Sequence, residues 1–333
     1  MEIQDPLYGK IKIEDPLITE LIETPEMQRL KKIHNNGIYF YFYPAANWKK
    51  FDHSVGVWYL LKKFGASREE QIAGLLHDIS HKVMAHVMDH FYGSQIKSDH
   101  QDSIHLQVMN AGKVEQILKQ NNFDTFSLSD LGSWALLDNE LPNLCVDRLE
   151  YTLRDSLQIN FSDLNLHKEI LNNLYQTDNG LTFKTLSAAK KFADLSHKMQ
   201  TEFWHINWGC YSYELMAEII KYALNNNYIS EDHFWLGDQE MIDLLDSKND
   251  PWIEEKLGRF KNIMKTSLIG SKKDYDLILP YKCRIVDPWI GGWRLSEIDE
   301  EFKKKFEAEV ARAKEGHYIK LNKLKNEASL KKK

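Results

Sequence analysis

The 333-residue chain has little cysteine, no long apolar run and no excess of basic residues. Its three cysteines, Cys145, Cys210 and Cys283, lie far apart and form no CxxC pair. So sparse and odd a set excludes a disulfide framework or a zinc–thiolate site and leaves buried, reduced thiols as the expectation. No apolar stretch approaches the roughly 18 to 20 residues needed to cross a bilayer, so no membrane partner is expected. The N-terminal text Met-Glu-Ile-Gln-Asp-Pro does not read as a signal peptide, and a cytoplasmic location follows as an expectation. A formal charge of −6 excludes a global basic field for duplex nucleic acid, so a nucleic-acid partner is not expected. A local basic pocket for a small anion is compatible with it. With 43% hydrophobic, 12% aromatic and 28% charged residues, the composition is that of a folded chain with one large core or two modest ones. No internal repeat or low-complexity linker interrupts it.

What is present is concentrated in residues 71–93, where His77-Asp78 closes an apolar run and His81, His86 and Asp89 follow. Ser67 and Glu70 fit a capping box that opens a helix. Ile72, Leu75, Leu76 and Ile79 recur at i, i+3, i+4 and i+7, which makes one buried stripe. His77 and Asp78 then lie at the edge of the core, with His81 one turn further along the same side. A carboxylate and imidazoles converging where water is scarce can bind a divalent metal.

Elsewhere the periodicity is mostly helical. Residues 2–13 alternate around a Pro/Gly turn and read as a β-hairpin. Thr24-Pro25 opens a helix carrying Met27, Leu30 and Ile33. Residues 38–44, Ile-Tyr-Phe-Tyr-Phe-Tyr-Pro, read either as a buried connecting strand or loop or as an aromatic wall for a base or sugar ring. A helix from about Phe51 to Gly65 places His53 one turn before Val57. Ser98 and Gln101 fit a second capping box, with His100 in the first turn of a helix to about Gln120. The positive helix end there favours a neutral, proton-accepting imidazole. The helix opening at Asp147 puts Arg148, Tyr151 and Asp155 on one side, a pattern that by itself reads as a solvated ion-pair face. Residues 166–228 read as helical, and 229–260 as two short helices broken at Asn249-Asp250-Pro251. Strands are expected at Leu277–Leu279 and Ile285-Val286. A Lys/Glu-rich helix, solvated and frayed, is expected over the last 30 or so residues.

The helices carrying His53, His77-Asp78 and Asp147 together offer two imidazoles and two carboxylates. Such a set suits Mn, Fe, Co, Ni, Zn or Mg and leaves positions for water and a phosphate oxygen; a second metal is compatible with it. His81, His86, Asp89 and His100 would surround it as acid/base and phosphate-positioning groups.

The order His53 … His77-Asp78 … Asp147 resembles the HD-domain metal-dependent phosphohydrolase superfamily. More of the text resembles one branch, the dNTP triphosphohydrolases: Ile-Gln-Asp-Pro-Leu-Tyr-Gly, Gln28-Arg29-Leu30 after Thr24-Pro25, Tyr43-Pro44-Ala45-Ala46, Phe51-Asp52-His53-Ser54-Val55-Gly56-Val57, Ala73-Gly74-Leu75-Leu76-His77-Asp78, and Asp147-Arg148 with Tyr151, Arg154 and Asp155. The likeness covers residues 2–160. It implies a mainly α HD-domain helical bundle with a small N-terminal β-hairpin and a short C-terminal β addition. The division it suggests is an HD phosphohydrolase domain over 1–270 and C-terminal strands with a helix over 271–333.

The resemblance also implies roles. His53, His77, Asp78 and Asp147 match the metal ligands. His100 and Asp89 match a catalytic histidine and its acidic partner, and His81 and His86 match histidines that contact phosphate. Arg148, Tyr151 and Asp155 match phosphate- and sugar-holding positions. Asn35 falls where a sugar-contacting Gln is common, and Lys50 where Arg is usual. Three departures bear on the substrate. Lys50 keeps the charge but loses the bidentate fork, Gln101 replaces a usual Glu, and residues 203–213 contain no Arg or Lys where the branch grips the distal phosphates. The implied activity is hydrolysis of a dNTP to deoxynucleoside and triphosphate. A nucleotidase or phosphodiesterase acting on a mono- or diphosphate or a modified nucleotide is the alternative, and a nucleotide-binding regulatory protein with little turnover is the alternative of another class. The expected ligands are a small nucleotide and one divalent metal, manganese among them. By analogy the chain forms a homo-oligomer.

Overall fold

The computed structural model describes residues 1–94, 100–177, 180–265 and 268–321. The fold is mainly α with small β elements, as expected. The N-terminal hairpin pairs Glu2–Asp5 with Gly9–Lys12 in antiparallel register, Glu2 opposite Lys12. Asp5 closes its turn by accepting from Leu7 N and Tyr8 N. Helix Pro25–Arg29 starts as the text dictates, with Thr24 capping Met27 N and Pro at the first turn.

Two apolar clusters form the interior. The first gathers the N-terminal helices, Lys50–Lys63, Arg68–Leu76 and Val146–Gln158 around Trp58, Leu60, Leu75 and Leu149. The second gathers the aromatic segment, the helix Asn207–Asn225, the helices Asp238–Asp246 and Pro251–Phe260, and the C-terminal strands. The rings of residues 38–44 take the core reading. They form a 3-10 helix, Gly37–Tyr41, in which Tyr39 is fully buried and stacks on Tyr213 with centroids 5.2 Å apart.

Several boundaries differ from expectation, each for a local reason. Ser67 caps Glu70 N, but Glu70 does not reciprocate; its carboxylate accepts from Leu136 N and Leu137 N, so a distant loop takes the acceptor. The helix ends at Leu76, and His77 to Ser80 continue as turns, although Ile79 stays buried. Ser98 lies outside the described residues. The helix after it is broken in two, His100–Met109 and Gly112–Gln120. Gly112 has φ +68°, and a Cβ there would meet Glu26 Oε1 at 1.9 Å.

Residues 166–228 are not wholly helical. Strands Leu174–Thr177 and Gly180–Phe183 pair antiparallel, and the second pairs in parallel with Trp289–Ile290. The missed signal was Asn179-Gly180 between β-rich runs, a strong short hairpin cue. The helix Leu186–Met199 runs into a π-helix, Gln200–Trp204. Leu277–Leu279 is a strand, paired with His317–Ile319. Ile285 and Val286 are not in a strand. They are apolar because the core buries them, and pairing starts only at Trp289. The C-terminal helix covers Glu300–Glu315 and gives way at Gly316, φ +81°, to the last strand; residues 322–333 of the expected tail lie outside the described residues.

Candidate metal centre

His53 lies in the first turn of Lys50–Lys63, whose start is held by Asp52 accepting from Lys49 N. The imidazole is buried, and its Nδ1 sits 2.6 Å from Glu150 Oε2. An ionised carboxylate can only accept, so Nδ1 carries the proton and Nε2 presents its lone pair. His77 is fixed in the same sense: Nδ1 donates to Gly74 O at 2.8 Å, and Nε2 faces inward. The two Nε2 atoms lie 3.2 Å apart. Asp147 Oδ1 approaches them at 2.9 Å and 3.6 Å, and Asp78 Oδ2 at 3.7 Å and 3.4 Å. Asp78 Oδ2 is buried and, among the described residues, accepts no hydrogen bond, although Lys50 Nζ is 3.0 Å away.

Ligand atoms of His53, His77 and Asp147 thus lie within 4.8 Å of one another, with Asp78 Oδ2 beside the two imidazoles, an arrangement that suits a cation. Protons take that place when nothing else does. Burial alone would lower His53, but hydrogen bonds to Asp147 and Glu150 and the nearby carboxylates outweigh it and push the group up to about 10. His77 is raised by the Asp78 and Asp147 charges against the same burial. Burial would raise Asp78 and Asp147, yet the imidazoles, with Lys50 beside Asp78, hold both carboxyls well below their usual range. The cluster of His53, His77 and Asp147, with Asp78 next to it, therefore fits a divalent ion.

Behind His53 stands a network that the sequence reading missed. Glu150 and Arg154 are wholly buried. Arg154 Nε donates to Glu150 Oε1 at 2.7 Å and Nη2 to Asp5 Oδ2 at 2.9 Å, tying the N-terminal hairpin to the metal ligand's support. Gly56 is required for this passage, because a Cβ there would sit 2.1 Å from Glu150 Oε1.

The histidine loop follows. Arg29 Nη2 donates to Ile79 O and His81 O, bracing the turn after Asp78. His81 Nε2 lies 3.1 Å from Asp78 Oδ1, and burial, with Lys50 beside it, lowers the imidazole to about 4. His86 Nδ1 is 3.2 Å from Asp89 Oδ2, and burial lowers this group too. The loop between them is anchored by the fully buried Asp238, which accepts from Met84 N at 2.6 Å and from His34 N at 2.7 Å. His100 is placed differently from the others: its ring stacks on Tyr92 at 3.7 Å, and the cavity wall takes Gln101 and Asp102 from that helix instead.

Of the expected site residues, His53, His77, Asp78, His81, His86, Asp89 and Asp147 line a cavity of about 170 Å³, as do Asn35, Lys50, Arg148, Tyr151 and Asp155, while His100 does not. The face expected to be solvated is buried: Arg148 pairs with Asp138 at 3.2 Å, while Asp155 accepts from Trp204 Nε1 at 2.8 Å and Asn36 Nδ2 at 3.1 Å. Two further polar atoms, Asn35 Oδ1 and Tyr151 Oη, are buried without a hydrogen bond among the described residues. Lys282 and Arg284 also line the cavity and were not foreseen. Their signal was two cations at i and i+2, the spacing that puts both on one side of an extended segment.

A helical scaffold presenting a paired His-Asp, a further His and a further Asp to one buried point defines a class of metal-dependent hydrolases. No family model matches the chain. It is 35% identical over 330 residues to the uncharacterized protein YdhJ of Bacillus subtilis, covering 96% of this chain and 99% of that one. It is 25% identical over 295 residues to the metal-dependent phosphohydrolase cns2 of Cordyceps militaris, covering 86% and 84%. Over 102 residues it is 36% identical to the human deoxynucleoside triphosphate triphosphohydrolase SAMHD1, a stretch that is 26% of this chain and 16% of that one. A crystal structure of a hypothetical protein from Aquifex aeolicus superposes with a TM-score of 0.59 at 18% identity, over 81% of this chain and 76% of that one. The chain belongs to the HD-domain metal-dependent phosphohydrolases, in the branch that resembles the dNTP triphosphohydrolases. No helix among the described residues is long and apolar enough to cross a membrane.

Proposed function

We propose that the protein hydrolyses nucleotides, and that its reaction is cleavage of a dNTP to a deoxynucleoside and inorganic triphosphate. The observation that supports this reading is the His53, His77 and Asp147 cluster, with Asp78 beside it, opening into a cavity that also holds anion- and hydroxyl-binding groups. A bound divalent ion, with manganese the first to test, supplies Lewis acidity towards a phosphoryl oxygen and activates water. The chain's own residues do the rest. Lys50 and Arg148 neutralise phosphate charge. Asn35, Tyr151 and Asp155, with unsatisfied or acceptor oxygens, suit a sugar hydroxyl. With Nδ1–H directed at Asp89, His86 has Nε2 free to take the proton from an attacking water as a P–O bond breaks. The leaving 5′-oxygen is then protonated, so the hydrolysis needs no co-reactant. His81, neutral beside Asp78, is placed to contact the same phosphoryl group. His100 was expected to be the base, but its stacking on Tyr92 makes the His86–Asp89 pair the better candidate here.

The test is a screen of dNTPs, NTPs, nucleoside monophosphates and phosphodiesters with Mn, Mg, Co, Ni and Fe, beside Asp78→Ala. Inorganic triphosphate as product, lost in Asp78→Ala, is expected. Phosphate release from monophosphates alone would replace this reading with a nucleotidase, and binding without turnover would replace it with a regulatory protein.

A further inference from the structure

We infer that His90, backed by Glu214, is the general acid of the reaction and delivers the proton that the leaving 5′-oxygen takes up. This rests on the nucleotide-hydrolase reading and adds a catalytic residue to it. His90 was not among the expected site residues.

The helix Val87–Tyr92 starts from His86, so His86 and His90 stand at i and i+4 on one face, about 6 Å apart. Both line the cavity. Each is backed by a carboxylate on the same ring nitrogen: His86 Nδ1 lies 3.2 Å from Asp89 Oδ2, and His90 Nδ1 lies 3.0 Å from Glu214 Oε2. An ionised carboxylate only accepts, so Nδ1 of His90 carries a proton and Nε2 is the nitrogen left for a substrate. The contact with Glu214 is the ring's only hydrogen bond among the described residues. Glu214 comes from another helix, Asn207–Asn225, and its carboxyl is held below the usual range, first by the bond from His90. The His90 side chain is 10% exposed and that of Glu214 38%, so the pair reaches from the cavity to solvent, which can restore the proton after each turnover.

Two such pairs in one cavity suit an in-line displacement, where attack and departure take place on opposite sides of phosphorus and call for separate groups. As His86 Nε2 takes a proton from the attacking water, the P–O bond breaks and its electron pair stays on oxygen. The proton on Nε2 of the His90 imidazolium joins that oxygen. A carboxylate behind an imidazole stabilises the imidazolium, which is the part Glu214 plays. His86 ends with one proton more and His90 with one fewer, and exchange with water resets both. Other groups of the wall are poorer donors. Tyr213, whose ring lies 6.2 Å from that of His86 and 5.7 Å from that of His90, is raised by burial and donates to Asn36 O at 3.3 Å. Burial and then Arg284 keep the His205 imidazole well below its usual range, so it has no second proton to give at neutral pH. Asp102, raised to about 6 by burial and then by Asp138, is the rival donor.

The experiment compares a deoxynucleoside triphosphate with its 5′-thio analogue, in which sulfur bridges sugar and phosphorus, on full-length, metal-loaded wild type, His90→Asn and Asp102→Asn. A thiolate leaves without a proton, because thiols ionise at about pH 8.5. Asparagine keeps a donor for Glu214 where Nδ1 stood and places nothing at Nε2. His90→Asn is expected to lower kcat on the oxygen ester about 100-fold with little change in KM, and to match wild type within about 3-fold on the thio analogue. Equal losses on both substrates mark the pair as structural and overturn the inference, as does full activity of His90→Asn on the oxygen ester. Rescue by sulfur in Asp102→Asn but not in His90→Asn gives the role to Asp102 and overturns it too. Triphosphate release by wild type with no rescue in His90→Asn leaves the proposed function standing and the inference fallen. A wild type that releases no triphosphate from either substrate removes both.

Discussion

Replacing Glu150 with Gln tests whether the buried network behind His53 tunes the metal centre. Glu150 is not itself a candidate ligand, so a reading limited to the residues that would hold the metal expects no effect. Its two oxygens receive His53 Nδ1 at 2.6 Å and Arg154 Nε at 2.7 Å. Glutamine keeps the shape but offers one acceptor and a pair of donors, so one of the two cationic partners then faces an N–H. A buried donor left without an acceptor costs about 1–3 kcal/mol, more if it is charged. Losing a carboxylate behind a metal-binding imidazole typically lowers metal affinity about 10- to 100-fold, or roughly 1.4–2.7 kcal/mol. Glu150→Ala removes the ion pair altogether and is expected to destabilise the fold by about 3–5 kcal/mol, because Arg154 keeps only Asp5. The assays are competition with a chelating dye for metal affinity and urea unfolding for stability. Glu169→Gln is the control: its pair with Lys191 is largely exposed, so the expected change is within about 0.5 kcal/mol. Metal affinity in Glu150→Gln within about 3-fold of wild type would refute the argument.

Gly56→Ala should act on the same network from the other side, pushing the Glu150 carboxylate aside while leaving the helix formed; helical circular dichroism should persist and metal affinity should fall. Asp238→Asn leaves either His34 or Met84 facing a donor, and the expected result is a fall in kcat of about 10-fold or more with little change in KM, since proximity of a catalytic group is what is lost. Lys282, lowered to about 8 by burial and then by Arg284 and Arg148, is charged at neutral pH and neutral above that value. Lys282 lines the cavity, and anion binding there needs its charged form, so inorganic tripolyphosphate titrated calorimetrically into the protein should lose affinity as pH rises through about 8, and Lys282→Arg should hold its affinity to higher pH in the same titration.

The parts of the site that were legible in the sequence are those written at short spacing. His77-Asp78 is an adjacent pair, His53 sits in a capped helix and Asp147 opens another, so their types and helices sufficed. The support was illegible because burial inverts the usual reading of charge: Glu150 and Arg154, four apart on a helix, look like a surface pair until the hairpin's Asp5 covers them. Lys282 and Arg284 were illegible for another reason. Only the chain's return path, through the parallel pairing of Gly180–Phe183 with Trp289–Ile290, brings that segment back to the cavity. The short hairpin was legible in its Asn-Gly pair but was hidden by the helical text on either side.

The loop ahead of His86 turns on two successive residues that are not glycine, Met84 at φ +58° and Ala85 at φ +42°. Such conformations cost on the order of 1–3 kcal/mol each. Ala85→Gly would therefore make the protein more stable and, by freeing the same turn, aim His86 less well. Selection for thermal robustness alone would drift towards glycine here, and retention of Ala85 among active descendants would mark activity as the property being kept.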